Sequence, residues 1–189
     1  MELGALILTG GASSRMGADK AAIPWLGIRA VDRVADLAAR LGAAPVFTVG
    51  AEDYGHPFVA DEPRLGGPVG GVMAGAARLR AAGCARALVL AVDAPTIRPE
   101  DLALLLGAEE AGAAFAELHV PMVIALAAIP TDVRADWPIA RLVERAGLLR
   151  PSCPAGARPR LRGANTPAEQ DALLAELVAL EAAQKGGAG

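Results

Sequence analysis

This 189-residue sequence has few of the side chains that mark a nucleic-acid-binding surface. Aromatic residues make up 3% of the chain, and the formal net charge is −3. Such a chain offers no basic surface for a phosphate backbone and few platforms on which bases could stack. We therefore expect no nucleic-acid partner and look for a small-molecule ligand instead.

Cysteine and histidine are equally scarce, with two of each. Cys84 and Cys153 lie far apart and outside any metal-ligand spacing, so we expect free thiols in a reducing cytoplasm. His56 and His119 have no partner pattern of a zinc site or a catalytic triad, and we assign them no role.

The chain also lacks a long hydrophobic run. The stretch VPMVIALAAI (120–129) is too short to cross a bilayer. The N-terminal MELGALILTGG has no basic segment before its apolar run, which predicts a first β-strand rather than a signal peptide. We expect no membrane association.

Short apolar runs alternate with longer helical patterns, which predicts a single α/β domain over 1–185 with a flexible tail at 186–189. The expected architecture is three-layered, α/β/α, with a mostly parallel sheet. Residues 113–127 indicate a hairpin-like pair of strands, 138–149 a helix, and 150–164 a loop. The other predicted strands are 4–9, 45–49, 57–60 and 86–92, and the other predicted helices are 30–42, 67–83, 98–107 and a final one from 166.

Three unusual segments follow predicted strands. They are TGGASSRMGADK (9–20), DEPRLGGPVGG (61–71) and VDAP (92–95). Ligands of parallel α/β sheets bind outside the carboxyl ends of the strands, so these segments are expected to meet at one edge.

The first segment has the composition of a polyphosphate receptor. Gly10 and Gly11 let backbone N–H groups approach a ligand, and Arg15 and Lys20 add two cations. Lys20 is one of only two lysines in the chain. The spacing is not that of a Walker A loop, and a glycine-rich turn with two solvated charges is the alternative.

Two carboxylates stand at strand ends in the same way. Asp93 is a natural Mg²⁺ ligand if it faces phosphates, although it could instead tighten the turn before Pro95. Asp61 ends another apolar run. Gly70 and Gly71, in the first turn of a predicted helix, indicate close approach of either a ligand or the sheet.

Near the C-terminus, Asn165-Thr166-Pro167 has the pattern of a helix start. Thr166 is expected to cap the helix, with Glu169 completing a capping box. Capping explains this segment well by itself, and a ligand contact by Asn165 is the second possibility.

Together these motifs resemble the molybdenum cofactor guanylyltransferases, the MobA-like nucleotidyltransferases. LTGGASSRMGADK resembles their signature loop Leu-Ala-Gly-Gly-x-x-x-Arg-Met-Gly-x-x-Lys. GGPVGG is similar to their Gly-Pro-Leu-Ala-Gly segment, VDAP to Cys-Asp-x-Pro, and GANTPAEQ to Asn-x-Asn-Thr-Pro-Glu. The resemblance spans the chain in order and implies a Rossmann-like nucleotidyltransferase fold.

The resemblance also implies a reaction: Mg²⁺-dependent transfer of GMP from GTP to the phosphate of molybdopterin, with release of pyrophosphate. Transient contact with molybdoenzymes or their chaperones is implied as well. By position, Arg15, Lys20 and Asp93 would be catalytic and Asp93 would hold the metal. Asn165 would be on the acceptor side, and the nucleotide would lie against Leu8, Thr9, Gly10, Gly11, Lys20, Asp61 and Asp93.

Four positions depart from the family pattern. Thr9 replaces an alanine, Val92 a cysteine, Gly50 an asparagine at a strand end, and Gly163 the first asparagine of the last motif. Two alternatives therefore stay open. One is an enzyme that uses CTP or another NTP with a related phosphorylated acceptor, and the other is a non-catalytic nucleotide-binding homologue.

Overall fold

A computed structural model describes residues 2–10, 19–60 and 67–186 of the chain. Its centre is a six-stranded sheet, whose strands in spatial order are β5 (Phe58–Ala60), β4 (Val46–Gly50), β1 (Leu3–Leu8), β6 (Arg86–Ala91), β8 (Met122–Ala125) and β7 (Gly112–Ala114). Strands β5, β4, β1 and β6 are parallel to one another, and β8 runs antiparallel to both of its neighbours, β6 and β7.

Helices cover both faces of this sheet and bury its apolar side chains. One face packs against α2 (Pro68–Ala81) and α4 (Ile139–Arg145). The other packs against α1 (Ala30–Arg40), α3 (Ala103–Leu106), α5 (Arg158–Arg162) and α6 (Pro167–Gly186). The predicted three-layer α/β/α fold with a mostly parallel sheet is therefore confirmed.

Strand β1 shows why helices must cover both faces of the sheet. Its residues from Ala5 to Ile7 are completely buried, as expected for a central parallel strand with a continuous apolar sequence. Ala5 and Ile7 face one helical layer, whereas Leu6 and Leu8 face the other. This alternation follows from the two-residue period of a strand.

The glycines of α2 pack against the sheet. A Cβ at position 71 would lie 3.2 Å from Val49 Cγ1, and one at position 75 would lie 2.5 Å from Leu6 Cδ2. Of the two explanations for glycine at the helix start, a nearby ligand or the nearby sheet, packing against the sheet therefore accounts for Gly71.

The structure differs from the sequence prediction in three places. Residues 150–164 are not all loop, because α5 occupies Arg158–Arg162. The predicted helix over 98–107 is a 3-10 turn, Pro99–Leu102, followed by the short α3. A two-residue hairpin, β2 (Pro24–Trp25) and β3 (Ile28–Arg29), precedes α1. These segments are too short for any periodicity to show.

Among the helices of the described ranges, none combines the length and the apolar character needed to cross a bilayer.

Candidate nucleotide-binding site

The ends of β1 and β6 place two of the three predicted segments side by side. Leu8, the last residue of β1, pairs with Ala91, the last residue of β6. Thr9 and Gly10 therefore leave the sheet beside Val92 and Asp93, whose backbone is tied to β1 by a bond from Val92 N to Leu8 O. This is the edge at which parallel sheets bind ligands.

Lys20 returns to the same edge. Its ammonium lies 3.7 Å from Asp93 Oδ2 and donates hydrogen bonds of 3.2 Å to the carbonyl oxygen of Ala164 and to Asn165 Oδ1. The Lys20 side chain is 20% exposed and that of Asp93 is 26% exposed, so the pair is largely shielded from water. Residues far apart in the sequence thus converge on one ammonium group.

Gly163 explains how the C-terminal segment approaches Asp93. Its φ of 72° lies in the left-handed region, and a Cβ there would overlap the carbonyl oxygen of Asp93. The same carbonyl accepts a hydrogen bond of 3.1 Å from Ala164 N. Glycine at position 163 therefore brings Ala164 and Asn165 against the end of β6.

Asp93 has an unusual electrostatic environment. Burial raises the pKa of its carboxyl group above the ordinary value, while the positive charges of Lys20 and Arg162 act in the opposite direction. A carboxylate that is poorly solvated and only partly neutralised is stabilised in its charged form by any further cation that binds beside it.

The oxygen atoms around Lys20 are those that Mg²⁺ prefers. Asp93 supplies a carboxylate, Asn165 an amide oxygen and Ala164 a backbone carbonyl. Mg²⁺ is usually held by one or two protein oxygens together with substrate phosphates and water. The residues present therefore fit this ion, with Asp93 as the charged ligand.

Asn165 takes part in the helix start and also contacts Lys20. Glu169 Oε2 accepts hydrogen bonds from the backbone N–H groups of Asn165 and Thr166, and Thr166 Oγ1 accepts one of 3.3 Å from Glu169 N. The predicted capping box is therefore confirmed. It uses only the backbone of Asn165, and this leaves the side-chain amide to face Lys20.

A small pocket at this edge contains residues that the sequence prediction did not include. Besides Lys20, Asp93 and Thr166, its lining includes Ile23, Trp25 and Gln170. Trp25 belongs to the β2–β3 hairpin and is 4% exposed. Nothing in the sequence pattern indicated this residue, because the hairpin is too short to be detected.

Tyr54 was also missed, although it supports the segment that carries Lys20. Its hydroxyl donates to the carboxylate of Asp19 at 2.9 Å, and Asp19 also accepts a hydrogen bond from Ala21 N. Burial and the nearby Asp19 carboxylate raise the pKa of Tyr54 to about 12. Tyr54 thus remains a neutral hydrogen-bond donor at physiological pH.

The remaining predicted site residues divide into two groups. Leu8, Thr9 and Gly10 lie at the end of β1 as expected. Gly11, Arg15 and Asp61 lie outside the described residues, and their roles stay predictions. The unassigned histidines contact charged neighbours elsewhere: His56 lies 2.8 Å from Asp32, and His119 lies 3.2 Å from Arg150.

Comparison with known proteins identifies the family. The profile of the MobA-like NTP transferase domain matches residues 5–148, about three quarters of the chain. The chain belongs to this family. The resemblance seen in its sequence motifs is therefore confirmed at the family level.

Individual MobA-like proteins show the same relationship. A molybdenum cofactor guanylyltransferase from Sinorhizobium fredii is 41% identical over 102 residues, which cover 48% of this chain and 45% of the relative. The chain spans about half the length of the curated relatives it matches, with coverage of 45% to 63%.

Solved structures share the fold across nearly the whole chain. The molybdopterin-guanine dinucleotide biosynthesis protein A from Archaeoglobus fulgidus matches with a TM-score of 0.60 and 19% identity, covering 93% of this chain and 98% of the other. A 4-diphosphocytidyl-2C-methyl-D-erythritol synthase matches with a TM-score of 0.67 and 17% identity, covering 93% and 99%. At these identities the matches establish the nucleotidyltransferase fold.

Proposed function

We propose that this MobA-like protein transfers GMP from GTP to the phosphate of molybdopterin and releases pyrophosphate. The observation that carries the proposal is the convergence of Lys20, Asp93 and Asn165 at the carboxyl edge of the sheet. The curated relatives named molybdenum cofactor guanylyltransferase support the choice of GTP and of the acceptor.

The described residues suit this reaction because nucleotidyl transfer depends on positioning and charge neutralisation. The acceptor phosphate is already a nucleophile, so no strong general base is needed. Lys20, on a flexible stem, would follow the phosphates and stabilise the charge that develops on departing pyrophosphate. Arg15 would add a second cation, and Asp61 would contact the nucleoside.

Mg²⁺ is the proposed cofactor. Asp93 would hold it with its carboxylate. The amide oxygen of Asn165 contacts the same Lys20 ammonium as Asp93 does, so it would be available as a further oxygen ligand. When bound, the ion would neutralise phosphate charge beside the α-phosphate. Lys20, which lies beside Asp93, would direct its ammonium toward the substrate phosphates.

We place this activity in the cytoplasm, where the free thiols of Cys84 and Cys153 would stay reduced. GTP and molybdopterin are the proposed small-molecule partners. Transient contact with molybdoenzymes or their chaperones would deliver the product.

A pyrophosphate-release assay tests the proposal. Purified protein is mixed with Mg²⁺, molybdopterin and one of GTP, CTP, ATP or UTP, and we expect release with GTP. Release with CTP alone would identify the cytidylyl alternative. Binding of GTP without any turnover would favour the non-catalytic homologue, and binding of no nucleotide would refute the proposal.

A further inference from the structure

Two of the departures from the family pattern meet in the structure. They are Thr9 and Gly50. Leu8 pairs with Val49 across β1 and β4, so the next residues along these two strands, Thr9 and Gly50, are neighbours. The two unusual residues therefore occupy one place at the carboxyl edge.

The side chain of Thr9 occupies the space that a side chain at position 50 would need. A Cβ built on Gly50 would overlap Thr9 Oγ1 and would lie 3.1 Å from Gly10 N. Gly50 is not among the glycines with a positive φ, so its backbone conformation is open to any residue. Space, and not backbone freedom, is what requires glycine here.

A hydrogen bond holds the Thr9 hydroxyl in that space. Thr9 Oγ1 donates a hydrogen bond of 3.1 Å to the carbonyl oxygen of Val49, and Thr9 N donates one of 2.9 Å to the same oxygen. Alanine at position 9 could make only the backbone bond. The additional bond fixes Thr9 at the point where the chain leaves β1 toward Gly10.

We propose that Thr9 and Gly50 are a reciprocal pair that positions the start of the nucleotide-binding loop. Thr9 is a positioning residue, and Gly50 provides the room that its hydroxyl needs. The pair would set the direction of Gly10, one of the residues expected to lie against the nucleotide. The proposal rests on the proposed function because its main consequence is for nucleotide binding.

The pair predicts non-additive effects of substitution. Gly50→Ala forces the Thr9 hydroxyl and Gly10 to move, and it should weaken binding of a fluorescent GTP analogue by about fivefold or more. Thr9→Ala alone loses one hydrogen bond and should weaken it by less than about fivefold. The double variant should bind more tightly than Gly50→Ala, because the overlap with the hydroxyl is gone.

Conservative and matched variants separate positioning from general loss of stability. Thr9→Ser keeps the hydroxyl that donates to Val49 O and should bind the GTP analogue more tightly than Thr9→Ala. Gly75→Ala also creates an overlap with a β1 side chain, Leu6, but away from the loop. It should lower Tm without changing nucleotide affinity, and Thr9→Ala should not rescue it.

The outcomes distinguish this proposal from the proposed function. Unchanged affinity in Gly50→Ala, or a double variant no better than Gly50→Ala, overturns the pair. If the unchanged protein binds no nucleotide, the proposed function fails and the positioning role fails with it. The steric coupling is then still measured by whether Thr9→Ala raises the Tm of Gly50→Ala.

Discussion

Lys20 is the residue on which the candidate site depends most directly. Its ammonium contacts a carboxylate, a backbone carbonyl and an amide oxygen, which together form a compact cradle for a single positive charge. A guanidinium is planar and distributes its charge over a fork, so it cannot replace a small ammonium in this cradle. The chain uses arginine for nearly all its other positive charges, and the cradle gives a physical reason for this exception.

Lys20→Arg keeps the positive charge but not the compact ammonium, so it is expected to lower the rate of GTP-dependent pyrophosphate release by about tenfold or more. Lys20→Ala also removes the charge and should lower the rate by about 100-fold or more, the usual effect of removing one group that stabilises developing charge. Steady-state kinetics would measure it, with Lys185→Arg, the same change at the other lysine of the chain, as the control. A Lys20→Arg protein within about threefold of the normal rate would contradict the role proposed for this side chain.

Asp93 gives a prediction with a defined pH dependence. Its pKa in the folded protein is raised, so the folded state favours the protonated carboxyl more than the unfolded state does. The free energy of unfolding therefore falls as the pH rises from the ordinary value of an aspartate through the raised one. Asparagine cannot ionise, so the free energy of unfolding of Asp93→Asn does not fall in this way.

We expect Asp93→Asn to have a higher Tm than the unchanged protein at pH 7 and to lose turnover. The difference in Tm should shrink as the pH falls below the ordinary pKa of aspartate, and thermal unfolding from pH 3 to pH 8 would follow it. A variant less stable at pH 7 would show that the attraction of Lys20 outweighs the burial of Asp93.

At the scale of elements, a charged network holds together the segments that carry the site. Arg160 in α5 makes a bidentate contact with Asp101, with hydrogen bonds of 2.7 and 2.9 Å, and also donates to Glu176 in α6. Asp101 accepts a hydrogen bond from Arg98 N, in the segment that follows Asp93. The network thus joins the loop after β6 to the helix that leads into Gly163.

Arg160→Met should lower the free energy of unfolding by about 3–5 kcal/mol, because it leaves the Asp101 carboxylate, 4% exposed, without its positively charged partner. Adding Asp101→Asn should recover part of this loss, since an amide is neutral and still accepts from Arg98 N. Urea unfolding would measure both variants.

Arg134→Met provides the comparison for this network. Arg134 pairs with Asp136 on the surface, where the two side chains are 70% and 67% exposed. Its removal should change the free energy of unfolding by less than about 1 kcal/mol. A similar small effect of Arg160→Met would mean that the buried network does not hold α5 in place.

At the scale of the whole molecule, the proposed function predicts that nucleotide binding stabilises the fold. GTP with Mg²⁺ at about 100 times its Kd adds about 2.7 kcal/mol. For a chain of this size, that corresponds to a rise in Tm of roughly 5–10 °C. Differential scanning fluorimetry with GTP, CTP, ATP and UTP would show which base the site selects.

Lys20→Ala should reduce this rise, which is measured in each case against the Tm of the same variant without nucleotide. An equal rise with all four nucleotides would indicate recognition of the phosphates only. No rise with any of them would contradict the nucleotide site itself.

The sequence by itself determined the architecture and the family. A central strand such as β1 is buried on both faces and must be apolar throughout, and the α/β alternation then predicts a parallel sheet whose strand ends share one edge. Lys20, Asp93 and Asn165 were identified in this way, because charged or amide side chains next to strand ends and helix caps stand out from their surroundings.

Only the tertiary structure decided how these residues are used. Asn165 contacts Lys20 because Gly163 lets the backbone approach Asp93, which is a matter of space between segments about 70 residues apart in the chain. For the same reason, the sequence could not predict the roles of Trp25 and Tyr54 or the contact between Thr9 and Gly50. Periodicity reports which face of an element is buried, whereas contacts between loops depend on distances that no local pattern encodes.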